Sequence, residues 1–242
     1  MEAMIFAAGL GTRLKEETAN KPKALVEVGG KTLLRRAIEK ITKAGASQIV
    51  VNVHHFPEKV IQFIHENQWE IPVKISDESG LLLETGGGLK KAASLFSGKE
   101  SILLYNVDVL SNVNLQKMCQ VHQKSGTLAS LLVRKRESSR YFKFDQEMQL
   151  VGWINKKSGE KKISRPESFE TAQEFAFSGI HFVQPEIFEY MPNEERFSII
   201  KLYLELAKSK TIKGLADDSD LWMDVGKPDE LALARELFRD YN

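Results

Sequence analysis

From Met4 to Asn106 the chain alternates short apolar runs with segments of helical period, and this alternation restricts the fold more than any other feature. Met4 to Ala8 predicts a buried strand, and Thr32 to Ala44 places Leu33, Leu34, Ala37, Ile38 and Ile41 at helical spacing before Gly45 stops it. Gln48 to Val53 predicts a second strand, Pro57 to Asn67 a helix, and Val73 to Ser76 a third strand. After the glycine-rich Glu84 to Gly88, Leu89 to Phe96 reads as a helix and Ser101 to Asn106 as an apolar strand that leads into Asp108. Strands apolar on both faces need cover on both faces, so the first half predicts a parallel sheet flanked by helices.

The middle follows a different pattern. Thr127 to Arg134, Tyr141 to Asp145 and Leu150 to Ile154 are strand-like pieces joined by polar turns, and Phe175 to Val183 is another β-rich run. Helical patterns return at Glu186 to Met191 and Ser198 to Lys208, followed by a strand at Thr211 to Leu215, the segment Trp222-Met223-Asp224-Val225-Gly226, and a helix from Pro228 to about Tyr241. No internal repeat or low-complexity linker interrupts the chain. The expectation is one domain over 1–242, with 127–183 contributing a β-rich lobe.

Composition narrows the function classes. With 34 basic and 33 acidic side chains the formal charge is +1, so no global field is available to hold a polyanion such as nucleic acid. Cys119 is the only cysteine, which excludes an intrachain disulfide and a thiolate zinc cage. The start lacks the basic and long apolar regions of a signal peptide, and no window approaches the roughly 18 to 20 apolar residues of a membrane span. A cytoplasmic protein is expected, with no nucleic-acid or membrane partner, as a monomer or small homo-oligomer.

Directly after the first strand comes Ala7-Ala8-Gly9-Leu10-Gly11-Thr12-Arg13-Leu14. Glycines there let backbone N–H groups approach a phosphate or a base edge, although glycine after a strand also serves as a plain turn. The segment lacks the Gly-Lys-Ser/Thr of a P-loop. It also lacks the third glycine of a dinucleotide fingerprint, and Asn52-Val53-His54 stands where an acidic residue would end the second strand. The long stretch from Leu14 to Gly30 has no clear helical pattern but carries Lys21, Pro22 and Lys23. Fixed cations stabilise the charge that develops when a nucleotide α-phosphorus is attacked, which makes Arg13 and Lys23 the candidate catalytic cations.

Two aspartates suit the metal such chemistry uses. Mg²⁺ prefers carboxylate, water and phosphate oxygens, and Asp108 directly follows an apolar strand, where ligand crevices lie in α/β sheets. Asp224 is flanked by apolar residues, and a carboxylate near the core needs a partner or a metal.

Gly9-Leu10-Gly11-Thr12-Arg13-Leu14 followed by Lys21-Pro22-Lys23-Ala24-Leu25-Val26 resembles the sugar-nucleotide pyrophosphorylases, the sugar-1-phosphate nucleotidyltransferase family. The likeness extends to Asn106-Val107-Asp108-Val109, to Trp222-Met223-Asp224-Val225-Gly226 and to Leu83-Glu84-Thr85-Gly86-Gly87-Gly88. The last is similar to the signature of small bacterial N-acetylmuramate-1-phosphate uridylyltransferase-like enzymes. The resemblance implies a Rossmann-like α/β/α sandwich of the nucleotide-diphospho-sugar transferase type with an inserted β-rich sugar-binding lobe. It implies Mg²⁺ on Asp108 and Asp224, triphosphate and sugar phosphate on Arg13 and Lys23, and nucleotide against Ala7, Ala8, Gly9, Gly11, Thr12, Glu84, Thr85, Gly86 and Asn106. Ser178 and Gly179 match a sugar-contacting strand, and Lys156 is the expected substrate cation, in a segment where many relatives carry Glu-Lys-Pro. The stretch Lys15-Glu16-Glu17-Thr18 departs from the family's proline-containing turn, and the β-helix some relatives append is not expected here, since the resemblance runs from Met4 to about Phe238.

The implied reaction joins an NTP and a sugar 1-phosphate into an NDP-sugar and pyrophosphate, with UTP and an N-acetylated sugar expected from the Leu83–Gly88 segment. A cytidylyltransferase acting on phosphocholine or a similar alcohol phosphate is the alternative among the enzymes: its relatives share Lys-Pro-Lys-Ala-Leu-Val, and an aromatic cage for a quaternary ammonium would favour it. A catalytically silent nucleotide sensor is the alternative outside the enzymes. His54-His55 cannot share a metal on an extended chain, Cys119 reads as packing, and Asp217-Asp218-Ser219-Asp220 reads as a solvated turn.

Overall fold

The computed structural model describes residues 1–239. β1 (Glu2–Phe6) begins and ends two residues before the predicted Met4 to Ala8. Ala7 leaves the sheet because its N–H donates to the Asn52 side chain at 2.7 Å instead of to a neighbouring strand. Two 3₁₀ segments follow, Thr12–Thr18 and Lys23–Leu25, where the sequence shows no helical period. A small hairpin of β2 (Glu27–Val28) and β3 (Lys31–Thr32) then leads into α1 (Leu33–Lys43). The Thr32 hydroxyl accepts the Arg35 N–H at 3.1 Å, an N-cap that contributes about 1 kcal/mol.

β4 (Ile49–Val53), α2 (Pro57–Glu66) and β5 (Val73–Asp77) fall close to their predicted spans. α3 (Glu84–Lys91) does not: it starts within the glycine run, not after it. The N–H groups of Gly86 and Gly87 both donate to the Phe197 carbonyl, at 2.9 and 3.1 Å, which fixes the first turn against the 195–197 backbone. A Cβ on Gly87 would run into the Glu195 carbonyl, so glycine here is a packing requirement.

β6 (Ile102–Asn106), β7 (Val109–Ser111), α4 (Leu115–Ser125) and β8 (Ala129–Arg134) come next. β9 (Arg140–Phe144), β10 (Leu150–Asn155), β11 (Lys161–Ile163), the short α5 (Pro166–Phe169) and the long β12 (Gln173–Val183) complete the β-rich stretch. After a 3₁₀ turn at Pro185–Tyr190 come α6 (Ile199–Leu206), β13 (Ile212–Ala216), β14 (Trp222–Asp224) and α7 (Pro228–Leu237). The far end of the predicted last helix, at 240–242, lies outside the described residues.

The main sheet has ten strands in the order β11-β10-β9-β12-β6-β1-β4-β5, with β8 pairing both β12 and β13. β6, β1, β4 and β5 run parallel, whereas β12 is antiparallel to β6, β8 and β9. Along β1 successive side chains alternate: Ala3 and Ile5 pack with α1 and α7, and Met4 packs with α3 and α6. Helices therefore cover both faces of the parallel strands in an α/β/α sandwich. Among the described residues no helix is long and apolar enough to cross a membrane.

A buried polar brace fixes the carboxyl ends of the strands. Asn52, inside the otherwise apolar β4, accepts the Ala7 N–H and donates through Nδ2 to Glu78 Oε1 at 2.7 Å. Glu78 has no exposed surface, and its other oxygen accepts the Leu83 N–H at 3.3 Å. A Cβ on Gly88 would lie 2.6 Å from Glu78 Oε1 and 3.0 Å from Asn52 Nδ2, so the third glycine makes room for the brace. Burial pushes the Glu78 carboxyl above the usual carboxylate range, opposed by its hydrogen bonds from Asn52 and Leu83 and by Lys91 and His54.

The folded state thus holds the Glu78 proton more tightly than the unfolded chain. Its contribution to stability is present in full below the ordinary value of 4.5 and is lost as the pH rises through the folded value. Glu78→Gln removes this slope: its unfolding midpoint relative to native protein should climb as the pH rises above the ordinary carboxylate range, and a pH-independent difference would contradict it. Gly87→Ala should cost about 1 to 3 kcal/mol by overpacking, read by denaturant unfolding. Gly80, where an added methyl group would meet open space, should accept alanine within about 0.5 kcal/mol.

Candidate active site

The carboxyl ends of β1, β4 and β6 open into a cleft of about 440 Å³ lined by Ala7, Ala8, Gly9, Lys23, Asn52, Glu78, Glu84, Thr85, Asn106 and Asp108, among others. Crevices at the carboxyl ends of parallel strands are the usual ligand sites of α/β sheets. A second pocket of about 240 Å³ adjoins it, with Asn106 and Ile200 common to both. Its walls include Arg136, Arg140, Phe142, Trp153, Phe177, Ser178, Gly179, Trp222 and Asp224.

The two aspartates meet through strand pairing. β14 runs antiparallel to β7 with Asp224 opposite Val109, and the Val225 N–H donates to the Asp108 carbonyl at 2.9 Å. Residues 116 positions apart in sequence therefore sit side by side at the junction of the two cavities. Burial and then the Asp108 charge push the Asp224 carboxyl upward, while Lys23 and Arg13 pull it down. Lys23, buried where its 3₁₀ turn follows Pro22, forms an ion pair with Asp108 Oδ2. A Cβ on Gly226 would lie 2.7 Å from Asp224 Oδ1 and 2.8 Å from Arg13 Nη2, so the glycine leaves the space in which guanidinium and carboxylate face each other.

Asp224 Oδ1 is buried and, among the described residues, has no hydrogen-bond partner. Two carboxylates, one with an orphaned buried oxygen, suit a hard cation that takes one or two carboxylates and completes its shell with water and phosphate. No cluster of three or more His, Cys, Asp or Glu side chains suited to a metal occurs among the described residues, so a cation here would depend on substrate oxygens. Arg13 and Lys23 supply the positive charge a polyphosphate needs in the same place.

The remaining sequence-derived candidates divide. Ala7, Ala8, Gly9, Glu84, Thr85 and Asn106 line the larger cleft, although the Ala7 N–H is already engaged by Asn52. Thr85 Oγ1 accepts the Ile199 N–H at 3.1 Å, and Glu84, at φ +62°, pairs with Arg196. Gly11 and Thr12 lie beyond the cleft wall, Gly11 at φ +65° starting the turn that carries Arg13. Gly86 is turned to Phe197, with its N–H used there. Ser178 and Gly179 sit at a bulge in the β12–β8 register, and a Cβ on Gly179 would come within 2.9 Å of Asn106 Nδ2. Lys156 is not brought to either cavity: it is half exposed and pairs with Glu174 at 2.8 Å.

Sequence reasoning missed Asn52, Glu78 and Arg136. A lone asparagine within Ile49–Val53 was the available signal for the first, whereas Arg136 is hidden in the charge run Arg134-Lys135-Arg136-Glu137. Asp217, expected in a solvated turn, is buried and paired with Arg134 at 2.8 Å, because β13 lies beside β8 and brings the two ends together. His54 turns to the Glu78 carbonyl and Cys119 is buried.

The nucleotidyl transferase family profile matches residues 2–240. An N-acetylmuramate alpha-1-phosphate uridylyltransferase from Caulobacter vibrioides is 30% identical, with 93% of this chain and 92% of that protein aligned. Mannose-1-phosphate guanylyltransferase 1 from Arabidopsis thaliana is 26% identical over 99% of this chain, which spans only 65% of the plant protein. In fold, the crystal structure of HddC from Yersinia pseudotuberculosis superposes with a TM-score of 0.78 at 20% identity, covering 98% of this chain and 99% of that one. A Bacillus anthracis structure described as a glucose-1-phosphate thymidylyltransferase gives 0.77 at 18% identity, covering 100% and 96%. With its α/β nucleotide-sugar transferase fold, the chain belongs to the nucleotidyl transferase family and, within it, to the sugar-1-phosphate nucleotidyltransferases.

Proposed function

We propose that the protein is a Mg²⁺-dependent uridylyltransferase that converts UTP and an N-acetylated sugar 1-phosphate to a UDP-sugar and pyrophosphate. The observation that carries this reading is the convergence of Asp108, Asp224, Lys23 and Arg13 where the two cavities meet. The larger cleft takes the nucleotide and the smaller pocket the sugar, so the two substrates meet beside the paired aspartates. The choice of base and sugar rests on the Leu83–Gly88 segment and on the relative aligned over nearly the full length of both chains.

In the reaction a phosphate oxygen of the acceptor attacks the α-phosphorus of the NTP, and the bond to the bridging oxygen breaks. Pyrophosphate leaves with that electron pair. The nucleophile is already an anion, so no general base is needed, and catalysis reduces to positioning and charge. Lys23 orients the attacking phosphate and Arg13 holds the leaving phosphates. Asp108 and Asp224 are the residues that would hold Mg²⁺, which when bound neutralises charge on the phosphate oxygens. Asn106, on the wall shared by both cavities, and Thr85 and Glu84 at the start of α3 frame the nucleotide, and Ser178 and Gly179 frame the sugar.

The smaller pocket also tests the phosphocholine alternative, since Phe142, Trp153, Phe177 and Trp222 line it. Protein cations already occupy two of these rings: Arg136 Cζ lies 4.3 Å from the Trp222 ring centroid and Lys162 Nζ 5.3 Å from that of Trp153. A quaternary ammonium would meet two like charges, Arg136 and Arg140, and this disfavours a choline cage.

A pyrophosphate-release assay crossing four NTPs with neutral and N-acetylated sugar 1-phosphates and phosphocholine tests the reading. UTP with an N-acetylated sugar 1-phosphate should give the highest kcat/KM, only with a divalent cation present; metal-independent turnover or preference for phosphocholine would refute it. Asp108→Ala should lower kcat by about 10³-fold or more with its unfolding midpoint retained, and native turnover in that variant would remove Asp108 from the mechanism.

A further inference from the structure

Of the four buried side-chain polar atoms without a partner among the described residues, three surround the smaller pocket: Asp224 Oδ1, Ser178 Oγ and Arg136 Nε. Buried polar groups are normally satisfied, so orphans gathered on one pocket wall point to a polar ligand that completes them. The pocket must also admit a phosphate next to Asp224, and two like charges at short range require a cation between or beside them.

Lys23 is committed to Asp108, Arg13 faces Asp224 from the Gly226 side, and Lys156 is turned away to Glu174. Of the two arginines that line the sugar side, Arg140 is exposed, and Arg136 is the one partly buried in the pocket wall. Of the five N–H donors of its guanidinium, one goes to the Phe177 carbonyl at 3.0 Å and one to the Glu137 carbonyl at 3.1 Å. Its Cζ lies over Trp222, 4.3 Å from the ring centroid, and the Trp222 N–H donates to the Ser178 carbonyl at 2.9 Å. Trp222 is two residues from Asp224 on β14, so the arginine is indexed to the strand that carries the aspartate.

From these contacts we infer that Arg136 grips the acceptor phosphate from the sugar side: it binds the phosphate of the incoming sugar 1-phosphate through its remaining donors and holds it beside Asp224, while Lys23, on the Asp108 side, orients the same phosphate toward the nucleotide. The inference rests on the sugar-1-phosphate reading given above and adds an acceptor-binding residue to it. A fork of fixed donors matches phosphate oxygens in pairs, which a lysine does not, so Arg136 sets orientation as well as charge. The group read is the phosphate, common to all acceptors, and not an acidic substituent on one sugar, because Arg136 shares a pocket wall with Asp224 and packs on Trp222, two residues from that aspartate at the reacting end.

Initial-rate kinetics of native protein, Arg136→Gln and Arg136→Lys, with melting curves recorded alongside, tests this. Arg136→Gln should raise the KM for sugar 1-phosphate by about 10- to 100-fold while the KM for NTP changes by less than about threefold. The rise should be the same for neutral and acidic sugars, and Arg136→Lys, which keeps the charge and loses the fork, should fall between. An unchanged acceptor KM, equal rises for both substrates, or a loss confined to acidic sugars would each overturn the assignment while leaving the transferase reading intact. If native protein releases pyrophosphate with no sugar 1-phosphate, the transferase reading itself fails and the role of Arg136 falls with it.

Discussion

The site depends on one pairing, the two-stranded ribbon of β7 and β14, which sets Asp224 beside Asp108. Two carboxylates this close repel, and burial raises the cost, as the upward displacement of the Asp224 carboxyl records. The fold tolerates the pair because Lys23 sits on Asp108 and Arg13 faces Asp224, each delivered from the loop after β1. Three distant segments thus meet through one strand pairing, with the loop cations set against the carboxylates.

Apolar packing holds this charged junction still. Both faces of β1 and β6 are buried under helices, and the strand ends are locked by the Asn52–Glu78 brace behind the glycine loop. The brace uses the Ala7 N–H, so the loop leaves the sheet at a fixed point, and Gly9 and the turn at Gly11 carry the chain toward Arg13. Rigid placement matters because the chemistry assigned to the site has little covalent work for the protein to do; what it supplies is position and field.

The alternation of apolar runs and helical periods makes the sandwich legible, and most strands lie within two residues of their expected spans. β1 is shifted because a side chain, Asn52, takes the hydrogen bond that a ladder partner would have used, which no local pattern encodes. The Gly86-Gly87-Gly88 run reads as a loop because glycine disfavours helices; its helical state is imposed by the Phe197 carbonyl and by the close approach of the 195–197 backbone. Asp108 and Asp224 stand out in the sequence because each lies in a motif at a strand end, and Arg13 and Lys23 because they lie in the motifs of the loop after β1. Arg136 and Glu78 do not, since their setting arises from pairings between remote strands. Lys156 shows the converse: a basic residue at a suggestive position, held outside the cavities by Glu174.

For the chemistry assigned here, the two aspartates must act together as one cation site completed by nucleotide phosphates. Titration of Mn²⁺ followed by electron paramagnetic resonance, with a non-hydrolysable NTP analogue present, measures this directly by comparing native protein with the Asp108→Asn/Asp224→Asn double variant. The expected result is Mn²⁺ bound to native protein only when the analogue is present, and weak or no binding in the double variant. Equal Mn²⁺ binding by both proteins would place the cation elsewhere and contradict the arrangement proposed for the site.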